Sequence, residues 1–202
     1  MEQYKYRTIS NEVSSEFKDR GSKFFGFGYA IASAQDVKGY IQALKKEHPK
    51  AVHFCYAYRL GTDGLQFRAN DDGEPSGSAG KPILGQIDSA GLTNVLVVVV
   101  RYFGGTLLGV PGLINAYKTA TADTLQQATV IEKWIEDKVT IEFDYPTMSE
   151  VMYVLKQSDA TIHHQELQLF CKVVAGIPRK HAADYIARLS EIRGVQVQPV
   201  KE

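Results

Sequence analysis

Residues 95–100 form an unbroken aliphatic run, Val95-Leu96-Val97-Val98-Val99-Val100. A helix that crosses a membrane needs about 20 consecutive apolar residues, so this run is far too short to span a bilayer. A strand that is apolar at every position is typical of a sheet covered on both faces. We therefore predict that the run is the central strand of a mixed α/β domain.

The composition excludes several classes of protein. Of the 202 residues, 44% are hydrophobic and 23% are charged, which is the usual mixture of a globular domain and excludes a disordered, collagen-like or coiled-coil chain. The 23 basic residues balance the 23 acidic ones, so the whole chain has no net attraction to polyanions. Cys55 and Cys171 lack a CxxC partner, and Met1–Lys5 shows no apolar signal. We therefore expect reduced thiols, a cytoplasmic location and no membrane contact.

The residue pattern changes near position 131, which predicts two domains, residues 1–131 and 132–202. In the first domain, Ser33 is placed to cap a helix, and apolar residues alternate along a strand that follows Pro49. We predict that this domain is an α/β sandwich. Its predicted strands are residues 24–31, 52–59, 65–69 and 94–100, and its predicted later helices begin at Pro82 and Pro111.

The second domain shows a regular order of strands and helices. Apolar residues alternate over Val139–Asp144, a helix is predicted from Pro146, and alternation returns over Leu167–Val173. Thr161–Gln165 is either the beginning of that strand or a separate short strand. A second helix from Pro178 and a closing strand over residues 195–200 complete a β-α-β-β-α-β order, which predicts a ferredoxin-like domain. The fold class is therefore α+β.

A polar loop over residues 70–82 is the first candidate for chemistry. It contains three carboxylates, two hydroxyls and Lys81. A P-loop needs Ser or Thr after Gly-Lys, and Pro82 stands there instead. The residues also lack EF-hand spacing, so we expect neither a metal nor a cofactor. Asp, Gly, Ser and Pro favour turns for backbone reasons, and a hydrolase arrangement of Ser76 or Ser78 with His53 and Asp71 is the alternative.

A second, glycine-rich loop over residues 101–112 follows the predicted central strand. Glycines let the backbone approach a ligand closely, and the beginning of the next helix presents free N–H groups, so an anion could bind there. The alternative is that the glycines serve only to pack the helix against the strand. The Walker pattern fails here too, because Val110-Pro111 replaces Lys-Ser/Thr.

The two loops together resemble those of the bacterial YigZ group of the IMPACT family. The residues that carry this resemblance are Asp71-Asp72-Gly73-Glu74-Pro75-Ser76-Gly77-Ser78-Ala79-Gly80-Lys81-Pro82-Ile83-Leu84, Val99-Val100-Arg101-Tyr102-Phe103-Gly104-Gly105 and Leu108-Gly109, with support from Ala51-Val52-His53, Cys55-Tyr56-Ala57-Tyr58, Gly112-Leu113 and Ala116-Tyr117. The match spans roughly residues 15–128. Two long motifs in this order are far more specific than a single glycine motif.

The resemblance implies an N-terminal fold similar to the second domain of a small-subunit ribosomal protein. It also implies a C-terminal domain similar to one in a translocase elongation factor. Eukaryotic members restrain a translation-control kinase pathway through an additional N-terminal domain, for which we expect no counterpart here. Members usually have lysine at the position of Leu107 and arginine at that of Asn115, so this chain has lost two cations that would favour phosphate binding.

We therefore expect a non-catalytic regulatory or binding protein that is linked to translation and contacts RNA, the ribosome or a protein partner. The alternative is an enzyme that acts on a small phosphorylated or peptidic substrate at the two loops. The sequence leaves the oligomeric state open. The expected binding residues are Asp71, Asp72, Glu74, Ser76, Ser78, Lys81, Arg101, Tyr102, Gly104, Gly105 and Gly109, and we expect Phe103 to belong to the core.

Overall fold

The computed structural model describes residues 3–200. The chain divides into two units. One is Tyr6–Lys133, and the other contains the described part of Met1–Lys5 and of Trp134–Glu202. The predicted α+β class is confirmed, because each unit combines helices with antiparallel sheet. Among the described residues, none of the helices has both the length and the apolar character that a bilayer crossing requires.

The elements between Lys5 and Trp134 are seven strands and three helices. In chain order they are β1 (Lys5–Ile9), β2 (Val13–Asp19), β3 (Ser22–Ala30), α1 (Ala34–Glu47), β4 (His53–Leu60), β5 (Gln66–Asn70), α2 (Gly80–Ser89), β6 (Val95–Tyr102), α3 (Gly109–Gln126) and β7 (Val130–Trp134). Five strands form one sheet in the order β2-β3-β6-β4-β5, and each neighbouring pair is antiparallel. Strands β1 and β7 form a separate two-stranded sheet.

The aliphatic run lies in β6, the middle strand of the five, and all six of its side chains are buried. Val95, Val97 and Val99 pack with residues of α2 and α3 on one face of the sheet. Leu96 and Val98 pack with residues of α1 on the other face. The prediction of a central strand covered on both faces is therefore confirmed, although its neighbours run antiparallel to it.

Helices α2 and α3 begin two residues earlier than the sequence predicted. Pro82 and Pro111 were expected at the first helical position, but each occupies the third. The first four N–H groups of a helix have no partner within the helix, so a proline at the third position removes no helical hydrogen bond. The predicted cap at Ser33 is confirmed, and the Asp36 carboxylate accepts the Ser33 backbone N–H at 2.9 Å.

Strands β1, β2 and β7 were not predicted, and Gly26 weakened the prediction of β3. The structure explains this glycine. A Cβ atom at Gly26 would lie 1.9 Å from the Thr124 Oγ1 atom of α3. The glycine therefore lets α3 pack closely against the sheet.

The second unit contains one four-stranded sheet and two main helices. Its elements are β8 (Glu136–Asp144), a 3₁₀ turn (Tyr145–Thr147), α4 (Met148–Gln157), β9 (Thr161–Leu167), β10 (Phe170–Pro178), a second 3₁₀ turn (Arg179–His181), α5 (Ala182–Glu191) and β11 (Gln196–Pro199). The sheet order is β11-β8-β10-β9, with antiparallel neighbours. Buried residues of both helices share one core with alternate residues of β8 and β10.

The structure resolves the uncertainty over Thr161–Gln165, since β9 is a separate strand. It also corrects the predicted strand over Leu167–Val173. Leu167 ends β9, and Leu169 lies in the turn before β10. The alternation of apolar residues runs across this turn, so it did not reveal the break.

Candidate functional site

A buried ion pair joins the two loops. The Arg101 Nη1 atom, at the end of β6, lies 2.6 Å from Oε1 of Glu74 in the first loop. The hydroxyl of Tyr117, in α3, donates to the same carboxylate oxygen at 2.7 Å. The side chains of Arg101 and Glu74 are only 6% and 3% exposed. The polar loop and the beginning of the glycine loop therefore meet at one carboxylate.

The guanidinium of Arg101 is enclosed by the neighbouring strand and by aromatic rings. Its Nη2 atom lies 3.4 Å from the Ser22 hydroxyl, which also accepts the Gly104 backbone N–H at 3.2 Å. The rings of Phe24 and Phe103 lie 5.5 and 5.7 Å from the guanidinium carbon. Phe103 is 49% exposed, so the expectation that it belongs to the core is wrong. It covers the cation from the solvent side because strand β6 ends at Tyr102.

A further buried group, the Cys55 thiol, extends this network. The Cys55 Sγ atom lies 3.0 Å from the Asp71 carbonyl oxygen and 3.3 Å from the Tyr117 hydroxyl. Burial raises the pKa of the Cys55 thiol, and the Tyr117 hydrogen bond only partly opposes this. Burial, with the neighbouring Cys55 and Glu74, also raises the pKa of Tyr117. Cys55 is therefore a neutral thiol and not a nucleophile at neutral pH.

The Asp71 carboxylate fixes the beginning of α2. It accepts the backbone N–H groups of Gly77, Ala79 and Gly80 at 2.9, 3.1 and 2.8 Å. Burial opposes ionisation of Asp71, but these three hydrogen bonds and Lys81 outweigh it and lower its pKa. Asp71 thus occupies the position that an anionic ligand would take at this helix end.

Other polar groups of the first loop are also engaged within the protein. Asp72 accepts the Phe54 backbone N–H at 2.6 Å. The Ser78 hydroxyl is buried and donates to the Pro75 carbonyl at 2.6 Å. His53 Nδ1 donates to the Asp72 carbonyl at 2.8 Å, which places the proton on Nδ1 because a carbonyl oxygen can only accept.

This geometry does not form a hydrolase triad. Within residues 3–200, none of the serine hydroxyls is hydrogen-bonded to the His53 ring, whose Nε2 atom lies 3.9 Å from Oε2 of Glu74. The same residues contain no group of three or more His, Cys, Asp or Glu side chains arranged to hold a metal ion.

The glycine loop packs tightly against the β2–β3 turn. A Cβ atom at Gly104 would lie 1.9 Å from the carbonyl carbon of Gly21 and 2.2 Å from the Ser22 nitrogen. This contact favours the packing explanation for Gly104. Gly105 and Gly109 have φ angles of +86° and +70°, which other residues rarely adopt.

The eleven residues expected to bind fall into three groups by accessibility. Glu74, Ser78 and Arg101 are buried. Asp71, Asp72 and Tyr102 are half-buried, and Tyr102 shares a hydrogen bond of 2.9 Å with His48 Nδ1. The exposed members are Ser76, Lys81, Gly104, Gly105 and Gly109. The sequence did not identify Ser22, Cys55 and Tyr117 as partners of this network, because only the fold brings their elements together.

A shallow cavity of about 400 Å³ lies beside the first loop. It includes Asp72 but none of the other expected binding residues. The lining residues are Lys45, His48, Pro49, Ala51, Val52, Phe54 and Asp72. The buried network and this cavity are therefore separate features of the unit.

The fold and the two joined loops define a protein with the Impact N-terminal domain, whose family model matches residues 20–125. The chain belongs to the IMPACT family, as its motifs predicted. It is 35% identical over 156 residues to the IMPACT family member YigZ of Escherichia coli, which covers 76% of each chain. It is 32% identical over 191 residues to an IMPACT family member of Haemophilus influenzae, covering 92% of this chain and 91% of the relative.

A solved structure described as that of a hypothetical protein has a similar fold over nearly the whole chain. It superimposes with a TM-score of 0.78 and 29% sequence identity, and the match covers 99% of both chains. The likeness therefore extends through both units of this protein.

Proposed function

We propose that this protein is a non-catalytic, cytoplasmic regulatory or binding protein that is linked to translation and contacts RNA or the ribosome. The link to translation is what membership in the IMPACT family implies. We also propose that its domains are residues 1–131 and 132–202, and that the second is ferredoxin-like, since it has the β-α-β-β-α-β order.

The observation that carries the non-catalytic proposal is that the three carboxylates of the first loop are bonded within the protein. Glu74 is held by Arg101 and Tyr117, and Asp71 caps α2. A catalytic acid or base must reach the proton that it transfers in a bound substrate, and a carboxylate that is 3% exposed does not. The geometry therefore gives no support to the alternative of an enzyme at these loops.

The surface around the buried pair supports RNA contact. Lys23 and Lys81 are exposed, and neither forms an ion pair within 4 Å with a described carboxylate. Lys23 lies opposite Tyr102 in the sheet, at the end of the strand that precedes the half-exposed ring of Phe103. Unpaired cations bind phosphates, and an exposed aromatic ring stacks on an unpaired base. Exposed cations and an exposed ring are suited to single-stranded RNA.

Fluorescence anisotropy with a labelled uridine-rich RNA of about 20 nucleotides tests the proposal, together with co-sedimentation with ribosomes at several salt concentrations. Lys23→Gln and Lys81→Gln should each weaken binding and lower the salt slope by roughly 0.7, the value for one phosphate contact on a single strand. Phe103→Ala should weaken RNA binding with little change in the slope of the binding constant against salt concentration, because its ring contacts a base and not a phosphate. Lys38→Gln, which changes an exposed lysine of α1, is the matched control. If neither RNA nor ribosomes bind at low salt, this form of the proposal is wrong.

A further inference from the structure

An apolar stripe begins in the glycine loop and runs along the exposed edge of α3. Leu107, just before the helix, is 82% exposed, and Val110 and Ile114 are 47% and 40% exposed. Val110 and Ile114 are four residues apart and therefore share one side of the helix. Leu113, Ala116, Tyr117 and Ala120, on the adjoining side of α3, belong to the core. The stripe therefore lies at the exposed edge of the apolar face that folding buries.

Along α3 itself, the charge beside this stripe has one sign. Lys118 follows Ile114 by four residues, is exposed and forms no ion pair within 4 Å with a described carboxylate. Residues 109–122 contain no Asp or Glu, and the first turn of α3 has no acidic residue. The beginning of a helix also carries a partial positive charge. A partner that covers the stripe would therefore gain from carboxylates at its edge.

We propose that the stripe of Leu107, Val110, Ile114 and Lys118 docks an acidic amphipathic helix of a partner protein. From Val110 to Lys118 the helical part of the stripe is about 12 Å long at 1.5 Å per residue, which matches about two turns of a partner helix, and Leu107 extends it. Apolar anchors at helical spacing are the usual feature of helix-to-helix recognition. Aliphatic side chains neither neutralise phosphates nor stack on bases as aromatic rings do, so RNA fits this stripe poorly.

The test uses the full chain and a designed peptide. The peptide is about 14 residues long, with leucines at i, i+4, i+7 and i+11 and glutamates at the remaining exposed positions. Titration of the ¹⁵N-labelled protein should shift the amide signals of Leu107, Val110 and Ile114 and leave those of α1 unchanged. Leu107→Ser and Lys118→Glu should each weaken peptide binding by about tenfold or more in anisotropy.

Two matched controls distinguish binding at this surface from nonspecific hydrophobic binding. Leu65→Ser removes a leucine that is 74% exposed elsewhere in the same unit, and it should leave peptide affinity unchanged. A peptide with lysine in place of every glutamate should bind at least tenfold more weakly. Equal binding of the two peptides, or equal loss in Leu65→Ser, would overturn the proposal.

Other occupants of the stripe have different signatures. Concentration-dependent dimerisation in sedimentation velocity that Leu107→Ser abolishes would assign the stripe to a second copy of the chain. Uridine-rich RNA that shifts the same three amides would assign it to nucleic acid. Either result overturns the peptide proposal, whereas loss of RNA binding in Lys23→Gln or Lys81→Gln bears only on the proposed RNA surface.

Discussion

Replacement of Glu74 by leucine tests whether the buried ion pair fixes the two loops. The change leaves the Arg101 guanidinium buried without its carboxylate, and its Nε atom already has no hydrogen-bond partner among the described residues. Removing one member of a buried pair costs about 3–5 kcal/mol, because the other charge stays desolvated. We therefore expect Glu74→Leu to raise the unfolding equilibrium constant by between about 10² and 10⁴-fold.

The double variant Glu74→Leu/Arg101→Met gives the sharper result. It removes the unpaired buried charge and places an apolar side chain near the rings of Phe24 and Phe103. The double variant should therefore be more stable than Glu74→Leu alone. Urea unfolding followed by circular dichroism gives the free energies, and hydrogen exchange of the β6 amides shows which unit unfolds. Glu16→Leu, which breaks an exposed ion pair with Lys18, should cost less than about 1 kcal/mol. The reasoning would be refuted if Glu74→Leu lowered the free energy of unfolding by less than about 1 kcal/mol. It would also be refuted if the effects of Glu74→Leu and Arg101→Met alone added up to that of the double variant.

Two further predictions concern the same loops. Asp71→Asn should destabilise the unit by about 1–2 kcal/mol at neutral pH, because it removes the charge that caps α2. The lowered pKa of Asp71 means that this stabilisation is lost as the pH falls. Urea unfolding at several pH values should therefore show the stability difference from wild type decreasing below about pH 4. Gly104→Ala should cost more than about 2 kcal/mol, because its Cβ atom would overlap the backbone of Gly21; an unchanged thermal unfolding midpoint would contradict this.

The fold could be predicted where the pattern of apolar residues is local and strong. The aliphatic run identified β6, and the cap at Ser33 identified α1. The pattern failed for β2, whose sequence VSSEFKD is mostly polar because β2 is an edge strand of the sheet. It also weakened at Gly26, where packing of α3 requires a glycine. These failures arise from tertiary contacts, which a local pattern does not contain.

The site was predictable as two loops but not as a network. Their composition identified Glu74 and Arg101, and the family motif placed both within expected binding segments. Nothing in the spacing indicated that Glu74 would turn inward to Arg101 and Tyr117, since these residues lie on different elements. A dense set of polar residues predicts either an exposed reactive site or a buried hydrogen-bonded one, and only the fold distinguishes the two.

The burial of these polar groups connects the loops with the exposed surfaces proposed for binding. Arg101 and Tyr117 hold Glu74 from β6 and α3, so the first loop, the end of the central strand and the beginning of the glycine loop are fixed relative to one another. Side chains on fixed backbone lose less entropy on binding than those on a mobile loop. Glu74→Leu should therefore weaken binding at the Phe103 surface, although Glu74 itself cannot touch a ligand. The stripe at Ile114, on a regular helix held by its own backbone hydrogen bonds, should keep its peptide affinity in the same variant.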